Sequence, residues 1–275
     1  MPLYGGVSAM EQKNDLKRTF DSVSSAYDKM RPGYVGELYQ KIFDYVHIDK
    51  NSRAVEVGSG SGQATKPVLD TGCDLTAVEY GENLSELLRG NFKGYPNLTV
   101  MTGKFEDMTF SENTYDLVFS ATAFHWIPEE VGYRKVFSML KSGGAFARFA
   151  NHPSISKTDI AFAKAIEDAY DKYYYSYYPE KKRGTSVGYT EAQSEETANI
   201  ACKYGFRDIQ SHIFYRERVF TADEYIQLLG TYSDHIAIEK EVREKFFSSI
   251  KEAIDAHGGR LVISDTLDLQ LARKL

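Results

Sequence analysis

Ala54-Val55-Glu56-Val57-Gly58-Ser59-Gly60-Ser61-Gly62-Gln63-Ala64-Thr65 passes from a β-branched apolar run into three alternating glycines, then into residues able to open a helix. The succession predicts a strand, a tight turn and a helix N-terminus, where outward-facing N–H groups let the chain lie against a ligand. The next apolar run, Asp74-Leu75-Thr76-Ala77-Val78-Glu79, ends in a carboxylate. That separation is the one at which a nucleotide-binding βαβ unit places its acceptor for ribose hydroxyls. Gln63 stands where a dinucleotide fingerprint carries its third glycine, which weakens a pyrophosphate reading. Glu56 weakens it further. A carboxylate two residues before the first glycine has no Coulombic use beside a diphosphate, but it suits an ammonium group or orients the turn as an acceptor.

Strand and helix alternate outward from this stretch. Strands are predicted near 53–57, 75–79, 97–102, 115–121 and 144–150, with helices near 63–70, 83–91 and 129–140. Gly143-Gly144 is expected to stop the last of these helices and turn the chain into its strand. Upstream, 14–27 and 34–46 carry apolar residues at helical spacing, separated by Pro32 and Gly33. Downstream, one long helix is expected over 159–177, then helices near 191–204, 222–230 and 239–257, and strands near 209–216 and 260–271. The fold class is α/β: a Rossmann-like, seven-stranded, mostly parallel sheet with an antiparallel last strand, helices on both faces and a helical cap. The expected parts are an N-terminal helical lid (1–48), a cofactor-binding core (49–151), a cap insertion and helix (152–204), and the rest of the core sheet (205–275) with a helical insertion at 220–257.

Composition narrows the class. The 275 residues are 42% hydrophobic and 26% charged, with formal net charge −6, which argues against a general nucleic-acid surface. Cys73 and Cys202 lie far apart without a CxxC, so neither a disulfide framework nor a cysteine-rich metal site is indicated. No apolar stretch approaches a membrane span, and Met1-Pro2-Leu3-Tyr4-Gly5-Gly6 lacks the order of a signal peptide. Cytoplasmic residence is the expectation.

Val55-Glu56-Val57-Gly58-Ser59-Gly60-Ser61-Gly62 followed by Glu79 resembles the opening motif of class I S-adenosylmethionine-dependent methyltransferases. Three later segments agree in order and spacing: Gly103-Lys104-Phe105-Glu106-Asp107-Met108, the strand and exit loop from Tyr115 to Trp126, and the helix, Gly-Gly turn and strand from Val136 to Phe146. More loosely, Tyr27, Arg31, Pro32 and Tyr34, with Thr231-Tyr232-Ser233 and the terminal Leu269-Gln270-Leu271-Ala272-Arg273, resemble a small-molecule branch near the trans-aconitate methyltransferases.

The resemblance implies S-adenosyl-L-methionine as cofactor, S-adenosyl-L-homocysteine as product, and in-line transfer to an O or N nucleophile of a small acceptor, anionic or not, with small acids, quinone precursors, phenols and amines all open. It places Gly58, Ser59 and Gly60 along the methionine part, Glu79 at the ribose, Phe105 and Glu106 at the adenine edge, and Tyr80 packing on the base. Ala121 falls under the sulfonium, while Tyr27 and Arg31 close over the cofactor. Lys104 departs from the family, which often has an acid there. His125 follows the fourth strand and is the candidate catalytic residue, either as a base or as a ring that shapes the pocket. Tyr170, Tyr173, Tyr174, Tyr175, Tyr177 and Tyr178 cannot all face one helix side; an acceptor lining, a dimer contact and packing of cap on core all fit. Lys181-Lys182-Arg183 reads as a solvated loop or an attractor for an anion. No metal, nucleic acid or membrane is expected, and a monomer or homodimer is. A nicotinamide-dependent oxidoreductase and a non-catalytic ligand-binding protein on the same scaffold are the rival readings.

Overall fold

The computed structural model describes residues 30–155, 159–181 and 188–275. Tyr27 and the helix expected over 14–27 lie outside the described residues. The sheet has seven strands in the order β3-β2-β1-β4-β5-β7-β6. They are β1 (Arg53–Val57), β2 (Asp74–Glu79), β3 (Leu98–Thr102), β4 (Tyr115–Ala121), β5 (Leu140–Ile155), β6 (Arg207–Thr221) and β7 (Arg260–Arg273). Strands β1 to β5 pair parallel, whereas β7 runs antiparallel to both β5 and β6. Strand order therefore reverses between β1 and β4, the switch point at which a doubly wound sheet opens a crevice.

The short apolar runs form central strands because both faces are covered. On one face α1 (Gly36–Tyr45), α2 (Thr65–Leu69) and α3 (Glu82–Asn91) bury Leu38, Ile42, Val68 and Leu88 against Phe119, Phe149 and Leu269. On the other, α4 (Glu129–Met139) sets Val136 and Met139 against Val57, Val118, Phe146 and Phe206. Helix α1 forms its buried stripe from Leu38, Tyr39, Ile42 and Tyr45, the spacing of one helical face.

The final strands extend well beyond the parallel core. Pairing of β5 with β7 reaches Ile155↔Ile263, and that of β6 with β7 reaches Thr221↔Arg260. On this extension sits the cap: α5 (Ile160–Ala169), α7 (Ala222–Leu229), the short α8 (Ser233–Ile236) and α9 (Lys240–Ala256). Its core joins Phe162, Ile166, Leu228, Phe246 and Ile250 to Leu261 and Ile263 of β7. Thr221 ends β6 and caps α7, its hydroxyl accepting from Glu224 N while Glu224 accepts from Thr221 N. This capping box lets strand pass into helix without a loop. Beneath the cap, Asp265 is buried between Arg216 and Arg218 and also accepts from Asn151. Helix α6 (Glu191–Asn199), opened by a Thr190–Gln193 capping box, packs on β6 and β7.

Two local expectations are corrected. Gly143-Gly144 does not end α4, which stops at Met139. Strand β5 has already begun at Leu140, and the glycines occupy an irregularity between the pairs Tyr115↔Leu140 and Leu117↔Ala145. There Gly143, at φ +83°, donates to the Lys274 carbonyl at 2.6 Å. The single helix expected over 159–177 is α5 followed by a π-helical turn at Tyr170–Tyr175. The wider turn rotates the tyrosines relative to α-helical phase. Tyr174 becomes buried, Tyr177 stays exposed, and the other rings of the run pack against the cap core.

Candidate functional site

The loops at the carboxyl ends of β1, β2, β3 and β4 enclose a cavity of about 440 Å³, and the cap closes its far side. The volume falls within the roughly 300–1,000 Å³ usual for ligand pockets.

The glycine turn makes the floor. Gly58 has φ +73°, and a Cβ there would stand 2.4 Å from Ala123 Cβ, so only glycine lets the β1 and β4 loops approach. Gly62 has φ +105°, and a Cβ would lie 2.3 Å from the Phe92 ring. Glu79 ties this turn to the next: Gly60 N donates to Oε2 at 2.7 Å and Gly81 N to Oε1 at 2.9 Å. Each carboxylate oxygen can accept further bonds, so the residue suits a pair of ribose hydroxyls.

Of the residues singled out in the sequence, Gly58, Gly60, Glu79, Tyr80, Phe105, Glu106, Ala121, His125 and Arg31 lie on the cavity wall. Glu56 and Ser59 lie behind it. The side chain of Ser59 turns under the loop toward the Val78 carbonyl. Glu56 is fully buried between Ala77 and Phe119 of the flanking strands. Thr65 Oγ1 donates to its Oε2 at 2.6 Å, while Oε1 has no hydrogen-bond partner among the described residues. Burial pushes this carboxyl up to about 8; the Thr65 bond opposes the shift and the Glu79 charge adds to it.

The β4 exit loop is strained. Thr122 has φ +54°, rare for a β-branched residue, and its N–H donates to Phe149 O. Its hydroxyl lies 2.6 Å from Tyr34 Oη, which fastens the N-terminal segment to the loop. His125 is exposed on the short 3-10 turn Phe124–Trp126, its ring 4.9 Å from that of Trp126.

The cap side brings Arg31, already named from the sequence, together with Lys181 and Asp234, which sequence reasoning underweighted or missed. Arg31 donates to the Thr231 carbonyl at 3.0 Å and lies 4.4 Å above the Tyr232 ring. Lys181, read as a loop cation, lines the cavity with Asp234. Its Nζ donates to Tyr174 Oη at 2.6 Å and lies 3.0 Å from Asp234 Oδ2. Tyr174 Oη donates to the same carboxylate, and His235 Nδ1 lies 2.8 Å from Oδ1. Burial raises the Asp234 carboxyl, but bonds from His235, Tyr174 and Lys181 outweigh it and hold the group well below the usual range. The tyrosine run thus reaches the cavity indirectly, through Asp234 and Lys181. No motif could have announced this, because the π turn sets the phase.

Among the described residues, no cluster of three or more His, Cys, Asp or Glu is placed to hold a metal ion, and no helix is long and apolar enough to cross a membrane.

Residues 55–147 match the family profile of a methyltransferase domain. The chain is similar to an uncharacterized methyltransferase of Schizosaccharomyces pombe, with 22% identity over 87% of this chain and 88% of the relative. A methyltransferase-like protein of the same organism is 24% identical, covering 88% of each. Among solved structures, a candidate type II methyltransferase from Anaeromyxobacter dehalogenans superposes with a TM-score of 0.62, at 18% identity over 89% of this chain and 98% of that one. Haemonchus contortus phosphoethanolamine N-methyltransferase 2, in complex with S-adenosyl-L-methionine, gives 0.56, at 16% identity over 98% of this chain and 60% of that one. Residues 55–147 therefore resemble a methyltransferase domain. The seven-stranded sheet around them is consistent with a Rossmann-like methyltransferase fold.

Proposed function

We propose that the protein transfers the methyl group of S-adenosyl-L-methionine, by in-line displacement, to an O or N nucleophile of a small anionic acceptor. The observation carrying this reading is the Glu79 carboxylate, set at the β2 tip on the cavity wall and bonded to the glycine turn at 2.7 Å. When bound, the cofactor supplies a methyl already activated on a sulfonium, so positioning supplies much of the rate.

Glu79 accepts the ribose hydroxyls, while Tyr80, Phe105 and Glu106 border the nucleoside end. Gly58 and Gly60 offer backbone at the methionine end, with Glu56 beneath as a buried acceptor that an approaching ammonium favours in its charged form. Ala121 leaves room under the reacting centre, and the Thr122 loop holds His125 and Trp126 beside it. Arg31 supplies positive charge on the opposite wall, beside the Lys181–Asp234 ion pair, which suits a carboxylate- or phosphate-bearing acceptor. His125 orients the nucleophile. A carboxylate acceptor arrives deprotonated at neutral pH and requires no base. Within this scheme the trans-aconitate-type branch is the acceptor class to try first, with the protein acting as monomer or homodimer on a small molecule and not on nucleic acid.

Calorimetric titration with S-adenosylhomocysteine and, separately, with NADH tests the cofactor. Binding of the former alone supports the reading, and binding of NADH alone overturns it in favour of an oxidoreductase. Release of S-adenosylhomocysteine, followed over short carboxylic acids, phenols and amines, then tests the acceptor. Turnover confined to neutral or cationic amines overturns the anionic assignment.

A further inference from the structure

Lys135 lies on α4, outside every motif noted in the sequence and off the cavity wall. Its ammonium reaches across to the turn after β3 and donates to three backbone carbonyls: Phe105 at 2.6 Å, Glu106 at 2.9 Å, and Met108. It also sits 5.0 Å from the centre of the Phe105 ring and 5.6 Å from that of Phe110. An ammonium has three donors, and here three carbonyls accept them. Desolvation lowers its ordinary pKa, with Glu106 and Asp107 opposing. Arg134, the neighbouring cation, instead pairs with exposed Glu130 on its own helix.

Apart from the burial of Phe105 in the core beside Met108 and Phe110, the turn that Lys135 grips is held by backbone bonds. Residues Phe105–Asp107 make a single 3-10 turn closed by Asp107 N to Lys104 O at 3.1 Å and Met108 N to Phe105 O at 3.3 Å. Its entry is fixed by Gly103 N, which donates to Glu79 O at 2.8 Å, and no side chain caps its N-terminus. One face of this turn, through Phe105 and Glu106, lines the cavity. In a trans peptide the C=O and N–H point in opposite directions, so a grip on the Phe105 carbonyl from the α4 side aims the Glu106 N–H away from α4.

We propose that Lys135 is a positioning residue for the nucleoside end of the cofactor: by binding three carbonyls from behind, it holds the cavity-facing edge of the Phe105–Met108 turn in its ligand-ready form. The inference rests on the cofactor reading above and adds a residue to it. Lys135 touches no ligand itself. It acts by pre-ordering backbone that would otherwise have to be ordered on binding.

The test compares wild type with Lys135→Met, which keeps the apolar stem and removes the donors, and Lys135→Arg, which restores donors. Each is titrated calorimetrically with S-adenosylhomocysteine and with 5′-methylthioadenosine, which carries the nucleoside end alone. Lys135→Met is expected to weaken both ligands by a similar factor, roughly tenfold or more, with partial recovery in Lys135→Arg. Hydrogen exchange at 103–108 should quicken in the ligand-free variant while that of β1 and β2 is unchanged. A residue needed only for fold stability would lower the melting temperature and leave the affinity of folded protein untouched, and that result overturns the proposal. So does a loss of S-adenosylhomocysteine affinity without loss for 5′-methylthioadenosine. If Lys135→Met does not fold, Lys135→Gln is titrated in its place under the same criteria. Should wild type bind neither ligand, the cofactor reading fails and this inference with it, whereas tight wild-type binding unchanged in the variants refutes the Lys135 role alone.

Discussion

Replacing Glu56 by glutamine should change how stability depends on pH, and the structure sets both sign and size. The carboxyl is fully buried, one oxygen takes a bond from Thr65, and the other has no partner among the described residues. Its pKa rises from 4.5 to about 8 on folding, first through desolvation. Between those values the folded chain holds a proton that the unfolded chain has released. Stability from this group is therefore complete below the unfolded value and is lost as pH rises toward 8. At about 1.4 kcal/mol per unit, the whole loss is roughly 5 kcal/mol. Glutamine is neutral throughout and similar in shape, so it keeps the Thr65 bond and removes the slope. Urea unfolding of ligand-free wild type and Glu56→Gln, followed by circular dichroism at half-unit steps from pH 5 to 8.5 (an interval of about 3.5 units, the span of the shift), isolates the effect. Other titrating groups cancel in the difference. The stability of Glu56→Gln relative to wild type should climb by about 1 kcal/mol or more per pH unit. A difference that stays constant across the range would refute the buried, protonated glutamate.

Gly62→Ala should destabilise the protein by about 3 kcal/mol and lower its melting temperature by about 5–10 °C in a thermal scan, because left-handed backbone combines with the Phe92 clash. Glu79→Gln should weaken S-adenosylhomocysteine roughly 10- to 100-fold by calorimetry, since a charged acceptor is lost from the β2 tip. Asp265→Asn leaves Arg216 and Arg218 facing each other beneath the cap and should cost about 3–5 kcal/mol in urea unfolding at neutral pH. In wild type, burial raises the Asp265 carboxyl, but the arginines outweigh it and hold it low. That stabilisation is present above the unfolded value and is lost as pH falls, so the gap to Asp265→Asn should close in acid. His125→Gln should lower kcat by less than about tenfold with S-adenosylhomocysteine affinity unchanged, whereas a loss of about a hundredfold would mark a general base.

The core was legible because its signals are local. Val55, Val57, Val78 and Val118 stand in short β-branched runs, and the glycines and Glu79 keep fixed spacings that the β1–turn–β2 geometry requires. The extended β5 exceeds its expected span of 144–150 because Gly143-Gly144 masked its start and Pro153, a residue that cannot donate to a ladder, lies near its end. Both are tolerated, the glycines in a bulge and Pro153 opposite Asp265 at the distal end. Asp265, Asp268 and Gln270 give β7 a polar sequence although all three are buried, because their partners come from β5, β6 and α6. Lys135 and Asp234 left no trace in the sequence. Their roles depend on contacts with residues about 30 and 60 positions away, fixed by the path of the chain and the π turn.

The ladder shared by β5, β6 and β7 carries a mechanical implication. One end of these strands belongs to the parallel core and the other forms the base of the cap, so the two halves of the cavity are joined by continuous hydrogen-bonded backbone. Rise per residue along a strand is nearly constant, which makes the sheet a ruler setting the span from the glycine turn to the Asp234 wall. A larger guest cannot be admitted cheaply by swinging the cap away, since that would shear a ladder of paired residues. Its room has to come from trimming side chains such as Tyr232 or Trp126. Libraries aimed at new acceptors should therefore vary the tips that project into the gap and leave the three long strands untouched.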